Sequence, residues 1–379
     1  MRVCFVSALH PPQDKRVFDK EARTLVAAGF DVVHVAPGDG GATTIDGVRI
    51  VTYPGPKGLR DRIGQLARLY CLARDVGADV YHCNEVDSWA VGVALRLFRG
   101  TPCVFDVHEH YPEDFAEMRF PVYLRPAVRL IVRVVMQLLS IGTSRVVLAK
   151  RSLRDDFRWY PAARICLVQN FVSMSSLPAP VSRLESDGQS LHPLRLIHLG
   201  LVNRVRGWPQ MLEGLARARH SDAELVILGE IGGGEEAEFM GAVERLGLGG
   251  RVRYLPWLPF AQAMEEVMAA DVGVIMFQPG FFNHVHALPH KLFDYMAACL
   301  PVIAPDFAVE VSHIVAEADC GLLVDSSESK AFADAVDHLA ENAEQRVAMG
   351  AKGRAAVEKF YNWEAEGRKF VEMYQGLRS

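Results

Sequence analysis

Two trains of short apolar runs constrain this chain more than any other feature of it. Runs rich in Val and Ile alternate with stretches of helical periodicity, stop at a polar segment, and then resume. Apolar strands separated by helices are the mark of a parallel sheet covered on both faces, because parallel neighbours need a crossover and the crossover is usually a helix. The first train predicts strands at Val3–Ala8, Val32–Ala36, Arg49–Tyr53, Val80–Cys83, Cys103–Val107, Val146–Ala149 and Ile165–Val168. The second predicts Arg195–Leu199, Glu224–Leu228, Val252–Leu255, Val272–Met276, Val302–Ala304 and Gly321–Val324, and helical patterns close the chain at Ala331–Glu341, Glu344–Phe360 and Trp363–Gly376. Between the trains, SMSSLPAPVSRLESDGQSLHP holds three prolines and no periodicity. At 379 residues the length exceeds what one hydrophobic core usually serves. The expected architecture is therefore α/β with two doubly wound, Rossmann-like domains, 1–172 and 194–360, a linker over 173–193 and a terminal helical segment over 361–379.

Charge is distributed unevenly. Residues 1–185 carry 24 Lys and Arg against 19 Asp and Glu, whereas the remainder carries 17 against 27. Arg60, Arg62, Arg68, Arg74, Arg125, Arg129 and Arg133 recur at near-helical spacing, a face suited to anionic lipid or simply to water. Aromatic residues are not interleaved with this charge, which argues against nucleic acid. The longest apolar stretch, Leu130 to Ile141, is broken by Arg133, and the opening MRVCFVSALHPP is one strand-length run followed by Pro and charge. Neither predicts a membrane span or an export signal. Seven scattered cysteines without a Cys-x-x-Cys pair read as buried thiols of a reducing compartment rather than zinc ligands or disulfides. The expectation is a cytoplasmic protein, with peripheral contact on the inner face of the cell membrane as an option.

In open parallel sheets ligands gather at the carboxyl ends of the strands, so the residues there are the candidates. His286 to Pro305, HALPHKLFDYMAACLPVIAP, places a turn with Leu288 and Pro289, then Lys291, then a helix with Asp294 in its first turns, then a strand. A helix start can hold phosphate on its N–H groups, and a carboxylate can accept from a ribose diol. Alternatively Asp294 complements the helix dipole and Lys291 is a surface charge. The strand that opens the second train runs into His198-Leu-Gly-Leu-Val-Asn-Arg-Val-Arg-Gly207, where Arg204 and Arg206 offer guanidinium groups to phosphate or to solvent. Gly229 to Gly234, with Glu230, is a turn that admits close approach of a ligand to the backbone. In the first train, Phe105-Asp-Val-His-Glu-His110, Tyr81 to Glu85 and His10 to Arg16 all follow strands; packing, orientation and helix capping account for their polar residues as readily as ligand binding does.

The segment from His286 resembles the nucleotide-sugar motif of family-4 retaining glycosyltransferases of the GT-B fold, in which two Glu stand eight positions apart before a helix and Gly-x-Pro-Val. Asp294 takes the place of the second Glu, His286 stands where the first would be, and Cys299 replaces the Gly before Leu300-Pro301-Val302. Members with an LPxKLFxYMAAxxPVI pattern vary at the same positions. The loop after His198 is similar to the family's Gly-rich turn, and Asp106-Val-His-Glu109 to its Asp-x-His-Glu segment. The resemblance implies two domains facing a central cleft, with the terminal helix from Trp363 to Tyr374 crossing back to the first. It also implies a donor site of Gly200, Asn203, Arg204, Arg206, Glu230, His286, Leu288, Pro289, Lys291 and Asp294, and an acceptor side of Asp14, Arg16, His82, Glu85, His108 and Glu109. Catalytic roles fall on His108, Arg204 and Arg206, with Trp257 as a stacking face or core residue. The implied reaction moves a sugar, with retention, from a nucleoside-diphosphate sugar to a glycan or lipid-linked acceptor, with no metal and no cofactor. Two rival expectations are a sugar-nucleotide epimerase of similar fold and a membrane-associated scaffold without chemistry.

Overall fold

The computed structural model describes residues 1–174 and 193–377, so most of the expected linker, residues 175–192, lies outside the described residues. The chain divides into two compact units, Met1–Asn170 with Trp363–Ser379, and Phe171–Asn362.

The first unit contains β1 (Arg2–Val6), α1 (Arg23–Ala27), β2 (Asp31–Pro37), β3 (Gly41–Ile45), β4 (Val48–Tyr53), α2 (Leu59–Val76), β5 (Val80–Cys83), α3 (Val86–Arg99), β6 (Cys103–Val107), α4 (Tyr111–Arg119), α5 (Arg125–Ile141), β7 (Arg145–Leu148) and β8 (Ile165–Leu167). Its strands lie in the order β3-β4-β2-β1-β5-β6-β7-β8, parallel except for the β3–β4 hairpin. Side chains alternate across the sheet, as the pleat requires. Cys103, Phe105 and Val107 face the core shared with α2, α3 and α5, while Val104 faces the one that holds Leu25 of α1. Trp89 of α3 stacks on Phe105 with centroids 3.9 Å apart. Strand β3 escaped prediction because it is exposed and so carries no apolar run. Its signal lay in the turn: Asp46 and Gly47 have φ of 50° and 80°, the two left-handed residues of a tight hairpin.

In the second unit the order of elements is β9 (Arg195–Leu199), α6 (Trp208–Arg217), β10 (Glu224–Leu228), α7 (Glu236–Arg245), β11 (Val252–Leu255), α8 (Phe260–Met268), β12 (Val272–Val274), α9 (Phe282–Val285), α10 (His290–Ala297), β13 (Val302–Pro305), α11 (Val309–Ala318), β14 (Gly321–Val324), α12 (Ser329–Glu341) and α13 (Ala343–Lys359). Here the sheet is β11-β10-β9-β12-β13-β14, parallel throughout. Its two apolar cores, one with α6 and α12 and one with α8, α10 and α11, lie on opposite faces. Strand β12 ends two residues before its predicted end; Gln278 Nε2 donates to the Met276 carbonyl at 3.0 Å, just beyond the ladder. Likewise β1 stops at Val6, because the Ala8 N–H is taken by the Glu85 carboxylate at 2.9 Å.

The last helix, α14 (Trp363–Gln375), belongs to the first unit. Trp363 Nε1 donates to Thr24 Oγ1 at 2.9 Å, and Phe370 and Tyr374 are fully buried. All seven cysteines are free; Cys4, Cys83, Cys103 and Cys320 are buried, but Cys71 on α2 is exposed, contrary to the reading of the cysteines as buried.

Cys299, which stands where the resembled pattern has Gly, adopts φ 57° just after α10. A left-handed backbone costs an L-residue with a Cβ on the order of 1–2 kcal/mol. The neighbouring glycine is equally constrained: a Cβ on Gly350 of α13 would lie 2.0 Å from the Cys299 carbonyl. Cys299→Gly is expected to raise unfolding stability by about 1 kcal/mol in urea melts, and Gly350→Ala to lower it.

Candidate functional site

Ligands of doubly wound sheets bind where the strand order reverses, outside the carboxyl ends. That point lies between β9 and β12 in the second unit and between β1 and β5 in the first.

In the second unit, Tyr295 ties the switch point together. Its hydroxyl accepts from the Leu199 N–H at 2.7 Å and donates to the Val274 carbonyl at 3.4 Å, joining the last residues of β9 and β12. The ring lies flat against Gly273, where a Cβ would approach it to 2.3 Å. One helical turn earlier on the same face is Lys291. Its side chain is 7% exposed, and Nζ donates to His198 Nε2 at 3.0 Å. Burial, then the nearby Arg206, hold the Lys291 pKa well below its ordinary value. Burial and Lys291 likewise push His198 well below a usual histidine, so its ring is neutral and free to accept.

Gly200, at φ 97°, lies beside this pair: a Cβ there would stand 3.9 Å from Lys291 Nζ and from the Trp257 ring. The turn at Gly229 closes over it, so that a Cβ on Gly229 would come within 2.4 Å of the Gly200 carbonyl. Asn203 caps the short turn Arg204–Arg206 by accepting from the Arg206 N–H at 3.1 Å. Arg206 packs over Phe277 and reaches the Leu201 carbonyl at 3.4 Å. Asp294, 2% exposed, is the carboxylate that favours the charged form of Lys291. Arg206, Lys291 and Asp294 are therefore brought together. Arg204 is not: its guanidinium pairs with Glu238 of α7 and lies over Trp208. Glu230 is exposed and contributes its carbonyl, which accepts from Val202 N–H at 2.9 Å. Pro289 starts α10, Leu288 packs against the core, and the His286 ring sits 4.6 Å from that of Phe282. Trp257 is 60% exposed and so is not the core residue that one reading allowed.

In the first unit the polar residues face inward. Arg16, expected to meet phosphate, is 4% exposed and donates to both oxygens of Asp106 at 2.9 and 2.8 Å, with Glu21 at 3.0 Å and the Val168 carbonyl at 3.1 Å. Two buried carboxylates and a carbonyl occupy the guanidinium, and this turns it from the surface. His82, expected to line the acceptor pocket, is fully buried; Nδ1 meets Tyr374 of α14 at 2.6 Å and Nε2 lies 3.5 Å from Glu21 and 3.8 Å from Asp106. Glu85, 5% exposed, accepts from the N–H groups of Ala8, Leu9 and His10, each at 2.9 Å. It fills the anion position at its own switch point. Asp14 accepts from the Arg16 and Val17 N–H groups at 2.8 and 2.9 Å, the capping role. Glu109 is half exposed and pairs with Lys150 at 2.8 Å.

His108 differs from these in remaining partly accessible, at 18% side-chain exposure. Its Nε2 lies 2.6 Å from Asp106 Oδ2, and the His10 ring is 5.1 Å away. Burial opposes the imidazolium, but Asp106 outweighs it and raises the pKa above the ordinary histidine value. Among the described residues two trios lie close enough to hold a metal ion: Glu21, His82 and Asp106, and His110, Glu113 and Asp156. In the first trio, Arg16 already bonds both carboxylates.

Both halves of the chain match known families. Residues 188–356 match the family described as Glycosyl transferases group 1, and residues 15–176 match Glycosyltransferase Family 4. The fold matches sucrose-phosphate synthase from Thermosynechococcus elongatus with a TM-score of 0.78 at 18% identity, covering 100% of this chain and 99% of that one. It also matches Anabaena HepE, solved with UDP-glucose, with a TM-score of 0.74 at 17% identity over 99% of this chain and 100% of that one. This chain belongs to the group 1 glycosyl transferase family and has the GT-B fold.

Among curated relatives of this family member, a D-inositol 3-phosphate glycosyltransferase of Corynebacterium urealyticum is 28% identical over 186 residues, 47% of this chain and 42% of the relative. The matched stretch thus spans about two fifths of that relative's length. Sequence reasoning passed over three residues of the sites: Asp106, His198 and Tyr295. Strand alternation offered a signal for the first, since Asp106 and His108 share one face of β6 and its continuation. Helical spacing offered one for the third, four residues after Lys291.

The buried His82 has a testable consequence. Burial lowers its pKa, but the nearby carboxylates of Asp106 and Glu21 prevail and raise it from 6.5 to about 9. A group raised in the folded state stabilises fully below its unfolded pKa and loses that contribution as pH rises through the folded value. Urea stability of the first unit is expected to fall between about pH 6.5 and about pH 9, and His82→Gln to flatten that part of the profile.

Proposed function

We propose that this protein transfers a sugar from a nucleoside-diphosphate sugar to a hydroxyl of a glycan or lipid-linked acceptor, with retention of configuration, in the making of a cell-surface polysaccharide or glycolipid at the cytoplasmic side. The observation that carries this reading is the paired cation at the β9–β12 switch point, where Lys291 and Arg206 flank Gly200 beneath the glycine turn. Two cations and a close-approach backbone suit the diphosphate, and the nearby Asp294 suits the ribose diol. Trp257 offers an exposed face to a nucleobase. HepE, of the same fold, was solved with UDP-glucose, which supports a nucleotide-sugar donor.

The cations take the part that a metal plays in other transferases, stabilising charge on the departing nucleoside diphosphate. No metal or cofactor is then required. The donor phosphate helps to deprotonate the incoming hydroxyl. His108, oriented by Asp106, which favours its protonated form, acts as a hydrogen-bonding partner of sugar or acceptor.

A panel of nucleoside-diphosphate sugars is expected to contain at least one that raises the melting temperature and releases nucleoside diphosphate only when an acceptor is supplied. With that donor, Arg206→Ala and Lys291→Ala are expected to lower kcat/KM by about 100-fold or more, whereas Arg204→Ala, already engaged with Glu238, should change it by less than about 5-fold. Equal losses for all three, or none, would remove the switch point as the donor site.

A second expectation concerns protons. Because burial and Arg206 hold Lys291 below its ordinary pKa, an arriving diphosphate raises that pKa, and binding takes up protons at pH values between the free and bound pKa. Calorimetry of UDP binding in buffers of different ionisation enthalpy should show that uptake, and it should vanish in Lys291→Ala.

A further inference from the structure

Nine of the twenty-one large apolar side chains exposed among the described residues fall between 122 and 141. They concentrate on one helix. Leu130, Ile131, Val134, Val135, Leu138 and Ile141 of α5 are 40% to 78% exposed. Their spacing, recurring every three or four residues, places them on a single outward stripe. The inward face holds buried Met136 and Ser140. A surface helix ordinarily turns its polar face outward, so this one presents the reverse.

The surrounding charge indicates what covers the stripe. Residues 118–154 contain eight Lys and Arg and not one Asp or Glu. Arg129 and Arg133, expected from sequence to form a basic face, instead pair with Glu117 and Glu113 of α4 along the flank of the helix. Lys150 is buried against Glu109, and further arginines stand at the two ends of the helix. Arg125 donates only to the carbonyls of Phe120 and Glu117, and Arg119 is exposed beside it. At the other end Arg96 of α3 bonds Ser144, three residues past α5, which brings the exposed Leu97, Phe98 and Arg99 alongside. An isologous pair of such faces would set like charges against each other. An anionic lipid surface meets both the stripe and its ends.

We propose that the outer face of α5, with the exposed turn at 122–124, lies in the headgroup and acyl boundary of an anionic membrane. The helix rests along the bilayer; no helix among the described residues is long and apolar enough to cross one. Insertion of apolar side chains supplies the affinity, and the end charges select anionic lipid. This surface does not rest on the proposed chemistry, so a chain without transferase activity that still binds vesicles leaves it standing.

The test is co-sedimentation of the full chain with vesicles of mixed phosphatidylglycerol and phosphatidylcholine, and with phosphatidylcholine alone. The chain is expected to bind the anionic vesicles at least about ten-fold more tightly than the neutral ones. Replacing three outward residues, Ile131→Ser, Val135→Ser and Leu138→Ser, should weaken that binding by about ten-fold or more with an unchanged melting temperature. Val134→Trp, which enlarges the apolar stripe, should tighten it. Equal binding to both vesicle types, or binding insensitive to these changes, overturns the proposal. So does a wild-type dimer that ignores vesicles and becomes a monomer in the triple variant, which would assign the face to a second copy.

Discussion

A parallel sheet covered on both faces leaves a protein one place to gather charge, the carboxyl edge of its strands. Ladder amides inside are paired, most side chains between the layers are apolar, and helix starts direct their free N–H groups toward that edge. Both units obey the constraint. They differ in what they put there. The first unit fills its switch point with its own carboxylate, Glu85, on three consecutive amides. The second brings cations to its switch point and closes the backbone around them with glycines.

That difference separates an edge neutralised by its own residues from one that gathers positive charge. Arg16, Asp106, Glu21 and His82 form a buried ionic network reaching Tyr374 of the terminal helix. Such a network rewards its own completeness, since removing one partner leaves an uncompensated buried charge. Beside it His108 stays partly accessible, oriented by Asp106, which raises its pKa. Lys291 is the opposite case. Its ammonium is disfavoured by burial and by Arg206.

Much of the fold was legible in the residues, and the reasons are specific. Strands buried on both faces announce themselves as apolar runs, and six of the thirteen predicted strands, Val80–Cys83 and Glu224–Leu228 among them, were placed to the residue. The exposed β3 carried no such run and declared itself only through Asp46-Gly47. Of the candidate site, the loop after β9 and α10 were legible from order and residue type. Which arginine faces inward was not, because Arg204 and Arg206 are chemically alike and two residues apart. Their paths diverge through Glu238 and Phe277, partners contributed by distant parts of the unit. Arg16, His82 and Glu85 misled for the same reason, each polar residue at a strand end being turned inward by a carboxylate or amide remote in sequence.

By itself the sequence determined the class of fold, since periodicity and strand-length apolar runs act locally and report burial directly. It also determined which residue types stand at the edge of each sheet. Only the tertiary structure decided which of them meet. Pairing of Lys291 with His198, of Arg16 with Asp106, and the outward turn of the apolar stripe on α5 depend on elements far apart along the chain. A side chain's direction is settled by the charges and surfaces packed against it, and no local pattern carries those.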